Sequence, residues 1–206
     1  NTKANEKYAR FLQNARNGKK LQGEAAQLDA MEQMRTFLSA YFGIDIQYTV
    51  VIDFQGFIDV VDAVGGVRVY VDQDMRYTDT VDGTNINLKK GEQVLDGKQA
   101  LDFVRYRKSN DGTRESSDFE RNERQARVMK AVVDKLKSLG GIAKLDDIIR
   151  AVGGNVQTDI PKAQITNLIR TYYDINPSDI RFVHLEGTWK SPYVYVDQES
   201  YRRAKQ

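Results

Sequence analysis

Charge is concentrated between Arg105 and Arg127, where seven Lys or Arg stand against five Asp or Glu. Arg105-Tyr-Arg107 opens the stretch, and Asp118-Phe-Glu-Arg121-Asn-Glu-Arg124-Gln125 closes on an apolar run. The chemistry open to such residues is anion capture, because a guanidinium presents a planar fork that matches phosphate oxygens. The bland alternative is a solvated, charged loop and helix. At about 100° per residue, Gln125 falls about 40° from Arg121, Met129 about 80°, Val132 about 20°, and Val133 and Leu136 about 60°. This wheel puts Arg121 and Gln125 on the stripe that faces the core, with Arg124 at its edge. An arginine turned inward in a first turn opposes the helix dipole and needs a partner. Asp118 in the same turn is one candidate. An anionic ligand is another, since backbone N–H groups at a helix start also receive anions. Arg105 and Arg107 share a face if the chain there is extended and diverge if it is helical.

Other residues carry less. His184 is the only histidine and falls in an expected strand, where it reads as a satisfied core or edge residue. Asp72-x-Asp74 has the spacing of a metal-binding pair, but such pairs in polar loops are mostly solvated, and it reads as one of these. Ser116-Ser117-Asp118 reads as helix capping and not as a nucleophile, since no base is positioned for it. There is no Walker motif and no Gly-x-Gly-x-x-Gly. The chain has no cysteine, which excludes disulfides, thiolate zinc sites and cysteine nucleophiles. Its formal net charge of +2 weakens a nucleic-acid reading, which calls for a larger or more segregated basic excess.

The elements that must position these residues follow from periodicity. With 206 residues, 40% hydrophobic and 29% charged, the chain can bury a core and is of single-domain size. No run approaches the roughly 18 to 20 apolar residues of a membrane span. The first strong helix is expected over about Gln22 to Phe42, stopped by Gly43, with residues 12 to 23 a loop or frayed helix. Tyr48–Phe54 is an expected strand, Gly56–Val64 a short helix ended by Gly65-Gly66, and Val67–Val71 a half-buried strand. Residues 72 to 92 read as a long polar excursion containing a turn. Asp96 is expected to cap a helix from Gly97 to Val104, with Gln99 completing a capping box. Further helices are expected over about Asp118–Leu139, Lys144–Val152, Pro161–Tyr173 and the tail from Gln198. Ile180–Leu185 and Tyr193–Val196 are expected strands. The alternation gives an α/β or α+β class.

Several spaced motifs together resemble the LytR–CpsA–Psr (LCP) family of Gram-positive cell-envelope proteins. Phe54-Gln-Gly-Phe-Ile-Asp-Val-Val-Asp-Ala-Val-Gly-Gly-Val67 resembles its strand–helix–strand unit. Leu95-Asp-Gly-Lys-Gln-Ala-Leu-Asp-Phe-Val-Arg105-Tyr-Arg107-Lys resembles its central motif, and Asp118-Phe-Glu-Arg121-Asn-Glu-Arg-Gln125 its most diagnostic one. Lys3-Ala-Asn5-Glu-Lys-Tyr8-Ala matches its Lys-x-Asn segment. The resemblance implies a layered α-β-α sandwich, a central mixed sheet flanked by helices, with an apolar groove for a polyprenyl chain. It implies a phosphotransferase that moves a polyprenyl-pyrophosphate-linked glycopolymer, of wall teichoic acid or capsular type, onto peptidoglycan, and a pyrophosphatase activity beside it. Arg105, Arg107, Arg121 and Gln125 fall on its pyrophosphate-binding positions, Asp118 on the acid that orients an arginine, and Lys3 on its pocket lysine. Mg²⁺ is the implied cofactor, with ligands expected upstream of residue 1 and none in this chain. The expectation is therefore one domain over residues 1–206, N-terminally incomplete, without its transmembrane anchor and first strands, and inactive as a fragment. The full-length protein is expected on the outer face of the cytoplasmic membrane, held by a single-pass anchor, with no nucleic-acid partner. Two other readings remain: a non-catalytic module that binds polyprenyl phosphate or anionic glycan, and the transcriptional regulator or attenuator of older family labels.

Overall fold

The computed structural model describes residues 3–138, 148, 152–172, 174–183, 185–190 and 193–205. The chain divides into two compact units, residues 1–53 with 154–169 and residues 54–153 with 170–206. The class is mixed α/β, and strand pairing among the described residues takes the form of four two-stranded antiparallel ladders. No helix among them is long and apolar enough to cross a membrane.

The first unit contains α1 (Ala4–Asn17) and α2 (Gly23–Phe42). Of the two readings of residues 12–23, a loop or a frayed helix, the helical one holds as far as Asn17, where α1 ends. Tyr8, Leu12 and Ala15 recur at helical spacing and turn inward, so packing on α2 outweighs the polar local sequence. Ala26, Ala30, Met31 and Met34 form the buried side of α2, and Phe11 meets Phe37 edge-on at 6.5 Å. Gly43 ends α2 at φ 57°, a left-handed conformation that costs glycine little. β1 (Val50–Ile52) pairs with β6 (Val156–Thr158), Val50 opposite Thr158. Asp159 ties this ladder to α2: one oxygen accepts the Thr49 N–H at 2.6 Å and the other accepts from Arg35. α6 (Lys162–Tyr172) follows Pro161 as expected.

The second unit carries α3 (Phe54–Ala63), β2 (Val67–Val71), β3 (Met75–Asp79), β4 (Thr84–Leu88), β5 (Gly91–Leu95), α4 (Gly97–Arg105) and α5 (Asp118–Ser138). β2 alternates buried valines with exposed Arg68 and Tyr70 and pairs with β5, Val67 opposite Leu95. The polar excursion expected at 72–92 is instead a hairpin of β3 and β4, joined through Asp82-Gly83. Only Met75, Ile86 and Leu88 of that hairpin enter the core, which is why its alternation was hidden among polar residues. β7 (Gly187–Lys190) pairs with β8 (Tyr193–Val196), and α7 (Gln198–Ala204) closes the chain. The strand expected over 180–185 does not form at 180–183 or 185; Val183 is exposed there. His184 and most of the helix expected at 144–152 lie outside the described residues. Val61, Val64, Val67, Val71, Met75, Leu95, Phe103, Tyr106 and Val128 form the heart of this core.

Candidate functional site

The arginines are placed by the end of α4 and the start of α5. Asp96 accepts from the Gln99 N–H at 2.8 Å, and the Gln99 side chain accepts from the Asp96 N–H at 3.1 Å, completing the expected capping box. α4 stops at Arg105, where Tyr106 leaves helical geometry at φ −54°, ψ 130°. Tyr106 is fully buried while Arg105 and Arg107 stay exposed on either side of it. Arg105 stacks on the Phe54 ring, 4.5 Å from its centroid. The chain returns from the following loop through the Ser116 N–H, which donates to the Arg107 carbonyl at 2.6 Å. Ser117 then caps α5: its Oγ accepts from the Glu120 N–H, and the Glu120 carboxylate accepts from the Ser117 N–H at 2.7 Å. Ser117 is a capping group, as expected, whereas the Ser116 hydroxyl accepts from Arg124 Nη1 instead.

Arg121 and Asp118 pair at 2.6 Å, with Asp118 86% exposed and Arg121 only 19% exposed. Burial lowers the Arg121 pKa, and the neighbouring charges of Arg107 and Arg124 lower it further, against the pull of Asp118. Arg121 Nε is buried and has no hydrogen-bond partner among the described residues. A buried, unmet donor on a charged fork next to a second cation is the chemistry of an anion seat. Gln125 lies one turn on, exposed.

The wheel therefore needs correction. The seam that enters the core runs through Arg124, Val128 and Val132, all buried, whereas Gln125 and Met129 are exposed. Arg124 is the arginine that sequence reasoning set at the edge, and it is 0% exposed. Its Nε and Nη2 meet both oxygens of Asp72 at 2.9 and 2.6 Å, and its Nη1 donates to Ser116 Oγ at 2.9 Å and to the Tyr106 carbonyl at 3.4 Å. Arg127 adds a longer contact to Asp72 at 3.4 Å. Burial alone would raise the Asp72 pKa, but the hydrogen bonds and charge of Arg124 win, and it lies below the usual carboxylate range. Asp72 and Asp74 are thus not a solvated pair: Asp74 accepts from the Lys90 N–H at 2.9 Å and faces Lys89 and Arg114. The signal that could have found Arg124 was the i, i+4, i+8 spacing of Arg124, Val128 and Val132.

Of the expected site residues, the structure groups Arg107, Asp118 and Arg121. Arg105 is turned onto Phe54 beside them in sequence, and Lys3 sits in the first unit, exposed at the start of α1. For a divalent metal the donor set does not fit. The carboxylate nearest Arg121, Asp118, is already paired with it, and no trio of His, Asp or Glu that could ligate an ion occurs among the described residues.

Known proteins resemble this chain in sequence and in fold. The chain is 34% identical over 161 residues to the polyisoprenyl-teichoic acid–peptidoglycan teichoic acid transferase TagV of Bacillus subtilis, covering 78% of this chain and 39% of TagV. It is 32% identical over 163 residues to the transferase of the same description, TagU, of Oceanobacillus iheyensis, covering 77% of this chain and 48% of that protein. The chain thus spans less than half the length of these two curated relatives. The crystal structure of B. subtilis TagV superposes with a TM-score of 0.67 at 29% identity, over 84% of this chain and 67% of that one. A structure of TagT bound to LI-WTA shares the fold, with a TM-score of 0.61 at 23% identity over 94% of this chain and 68% of that one. The LytR_cpsA_psr family profile matches residues 7–206, and the chain belongs to the LytR_cpsA_psr family.

Proposed function

We propose that this chain is the pyrophosphate-holding part of a glycopolymer–peptidoglycan phosphotransferase. The observation that carries the reading is Arg121, part-buried beside Arg107 with an unmet Nε donor. The names of TagV and TagU support it. The donor is a polyprenyl-pyrophosphate glycan of the teichoic acid class. Arg107 and Arg121 grip its pyrophosphate oxygens, Asp118 orients the Arg121 fork, and Gln125 offers an amide donor one turn away. An acceptor hydroxyl oxygen bonds to the glycan-side phosphorus, the P–O–P bridge breaks, and polyprenyl phosphate leaves while the hydroxyl proton passes to solvent. The arginines act by spreading the charge that develops on the transferring phosphoryl group. Mg²⁺ is the cofactor expected for this chemistry, but no trio of His, Asp or Glu among the described residues offers it a ligand set. The whole protein works on the outer face of the cytoplasmic membrane, held by an N-terminal anchor.

The test is transfer by the full-length protein on a lipid-linked glycopolymer with peptidoglycan as acceptor. Arg121→Ala is expected to lower the rate about 100-fold or more, in line with the loss of one preorganised charge donor. Gln125→Ala is expected to lower it less, with the fold intact in both by circular dichroism. Wild-type turnover in Arg121→Ala overturns the reading.

A further inference from the structure

We infer that Arg124 and Asp72 form a brace that holds Arg107 beside Arg121, so that Arg124 is a positioning residue of the site and not one of its ligand-binding arginines. The inference rests on the reading of that site as a pyrophosphate seat.

Arg107 and Arg121 are like charges, and the field of Arg107 is felt at Arg121. An empty site must hold them together against their repulsion. Arg107 sits at the base of a loop and has no helix or strand of its own. Its backbone is gripped from two directions instead. The carbonyl before it, on Tyr106, accepts from Arg124 Nη1. Its own carbonyl accepts from the Ser116 N–H, and the Ser116 hydroxyl accepts from the same Nη1. One guanidinium thus fixes both ends of the loop. Arg124 lies three residues along α5 from Arg121, so the grip ties the loop to the helix that carries the second cation.

Asp72, just beyond β2, neutralises Arg124 with a two-point contact. Its neighbour Gln73 donates to Ser116 Oγ at 3.2 Å and to the Arg114 carbonyl at 3.3 Å. The guanidinium also lies 5.8 Å from the Phe103 ring centroid and 5.7 Å from that of Tyr106. An arginine with no exposed surface, with Asp72, Ser116 and the Tyr106 carbonyl already on its donors, has nothing to offer a ligand. Buried ion pairs of this kind exchange for apolar residues with little loss of stability, so stability alone is a weak reason for the pair. A geometric task is the stronger reason.

The test separates folding from positioning. Asp72→Leu with Arg124→Met removes both charges at once and leaves neither buried alone. Arg124→Lys keeps the charge beside Asp72 but loses the fork that reaches Tyr106 and Ser116. Each is titrated with geranyl pyrophosphate by calorimetry, beside wild type, Arg121→Ala and thermal melts. The expected result is an affinity about tenfold or more weaker in either folded brace variant, because a misplaced contact group is costly. In an Arg107→Ala background the brace variants are expected to cost no further affinity, since the brace acts through Arg107. Wild-type affinity in a folded brace variant overturns the inference, and so does a loss that simply adds to that of Arg107→Ala. If wild type does not bind geranyl pyrophosphate, the pyrophosphate seat itself fails and the brace falls with it. If wild type binds and Arg121→Ala does not, the seat stands and the brace variants alone decide.

Discussion

Asp72 is held ionised by Arg124, and this gives the pair a pH signature. Its folded pKa is depressed, whereas in the unfolded chain an aspartate titrates near its ordinary value of about 4. Between those two values the unfolded state binds more protons, so stability rises with pH across that window. The contribution is fully present above about pH 4 and is lost as the pH falls through the folded value. Urea midpoints of wild type and Asp72→Asn are expected to differ most at neutral pH and to converge on acidification. A gap that stays constant between pH 3 and 7 overturns this account. Asp72→Ala, which strands a buried guanidinium, is expected to cost roughly 3 kcal/mol at neutral pH by the same measurement. The sequence made Arg121 and Asp118 legible because they lie within one helical turn. It did not reveal Asp72 as the partner of Arg124, because the two lie 52 residues apart and no local pattern joins them. Gln125 and Met129, counted on the inward face, misdirected the wheel by the width of one ridge.

At the scale of elements, α4 shows what local sequence can and cannot say. Its capping box was readable because both partners lie three residues apart, and Asp96→Ala is expected to cost about 1 kcal/mol. Gly97, the next residue, looks like an ordinary first helical position. In the structure a Cβ there would stand 2.8 Å from the Ile58 Cα and nearer still to the Ile58 carbonyl oxygen, so the α3 and α4 backbones touch. The Gly97 N–H also donates to Asp62 of α3 at 2.7 Å. Gly97→Ala must push two helices apart and is expected to cost roughly 3 kcal/mol, the upper end for overpacking. Thermal denaturation of the two variants checks the ranking, and a smaller loss for Gly97→Ala than for Asp96→Ala contradicts the close approach. The same divide between local and distant explains the other elements. α2, β2 and α5 carry their own periodicity. The β3–β4 hairpin and α1 needed their partners, β4 and α2, before their few apolar positions made sense. β6 has three residues and pairs with β1 more than 100 positions away, a match no single sequence displays.

For the whole molecule, the family was legible when single elements were not, because several motifs in a fixed order constrain more than any one periodicity. The division into two units was not legible, since the first unit joins residues 1–53 to residues 154–169, which lie far apart in the sequence. That closure depends on β1 meeting β6 and on Asp159, which serves both the Thr49 N–H and Arg35. Asp159 is only 13% exposed, so its loss leaves a charged and a backbone donor poorly solvated. Asp159→Ala is expected to cost about 2 kcal/mol, the scale of a charge-assisted hydrogen bond. If the units open separately, the cost falls on one of them. Hydrogen exchange is then expected to quicken at the amides of Val50–Ile52 and Val156–Thr158, while those of Val67–Val71 and Gly91–Leu95 keep their wild-type protection. Equal loss of protection in both ladders means that the units unfold as one cooperative body, and the separate opening of the first unit is then wrong.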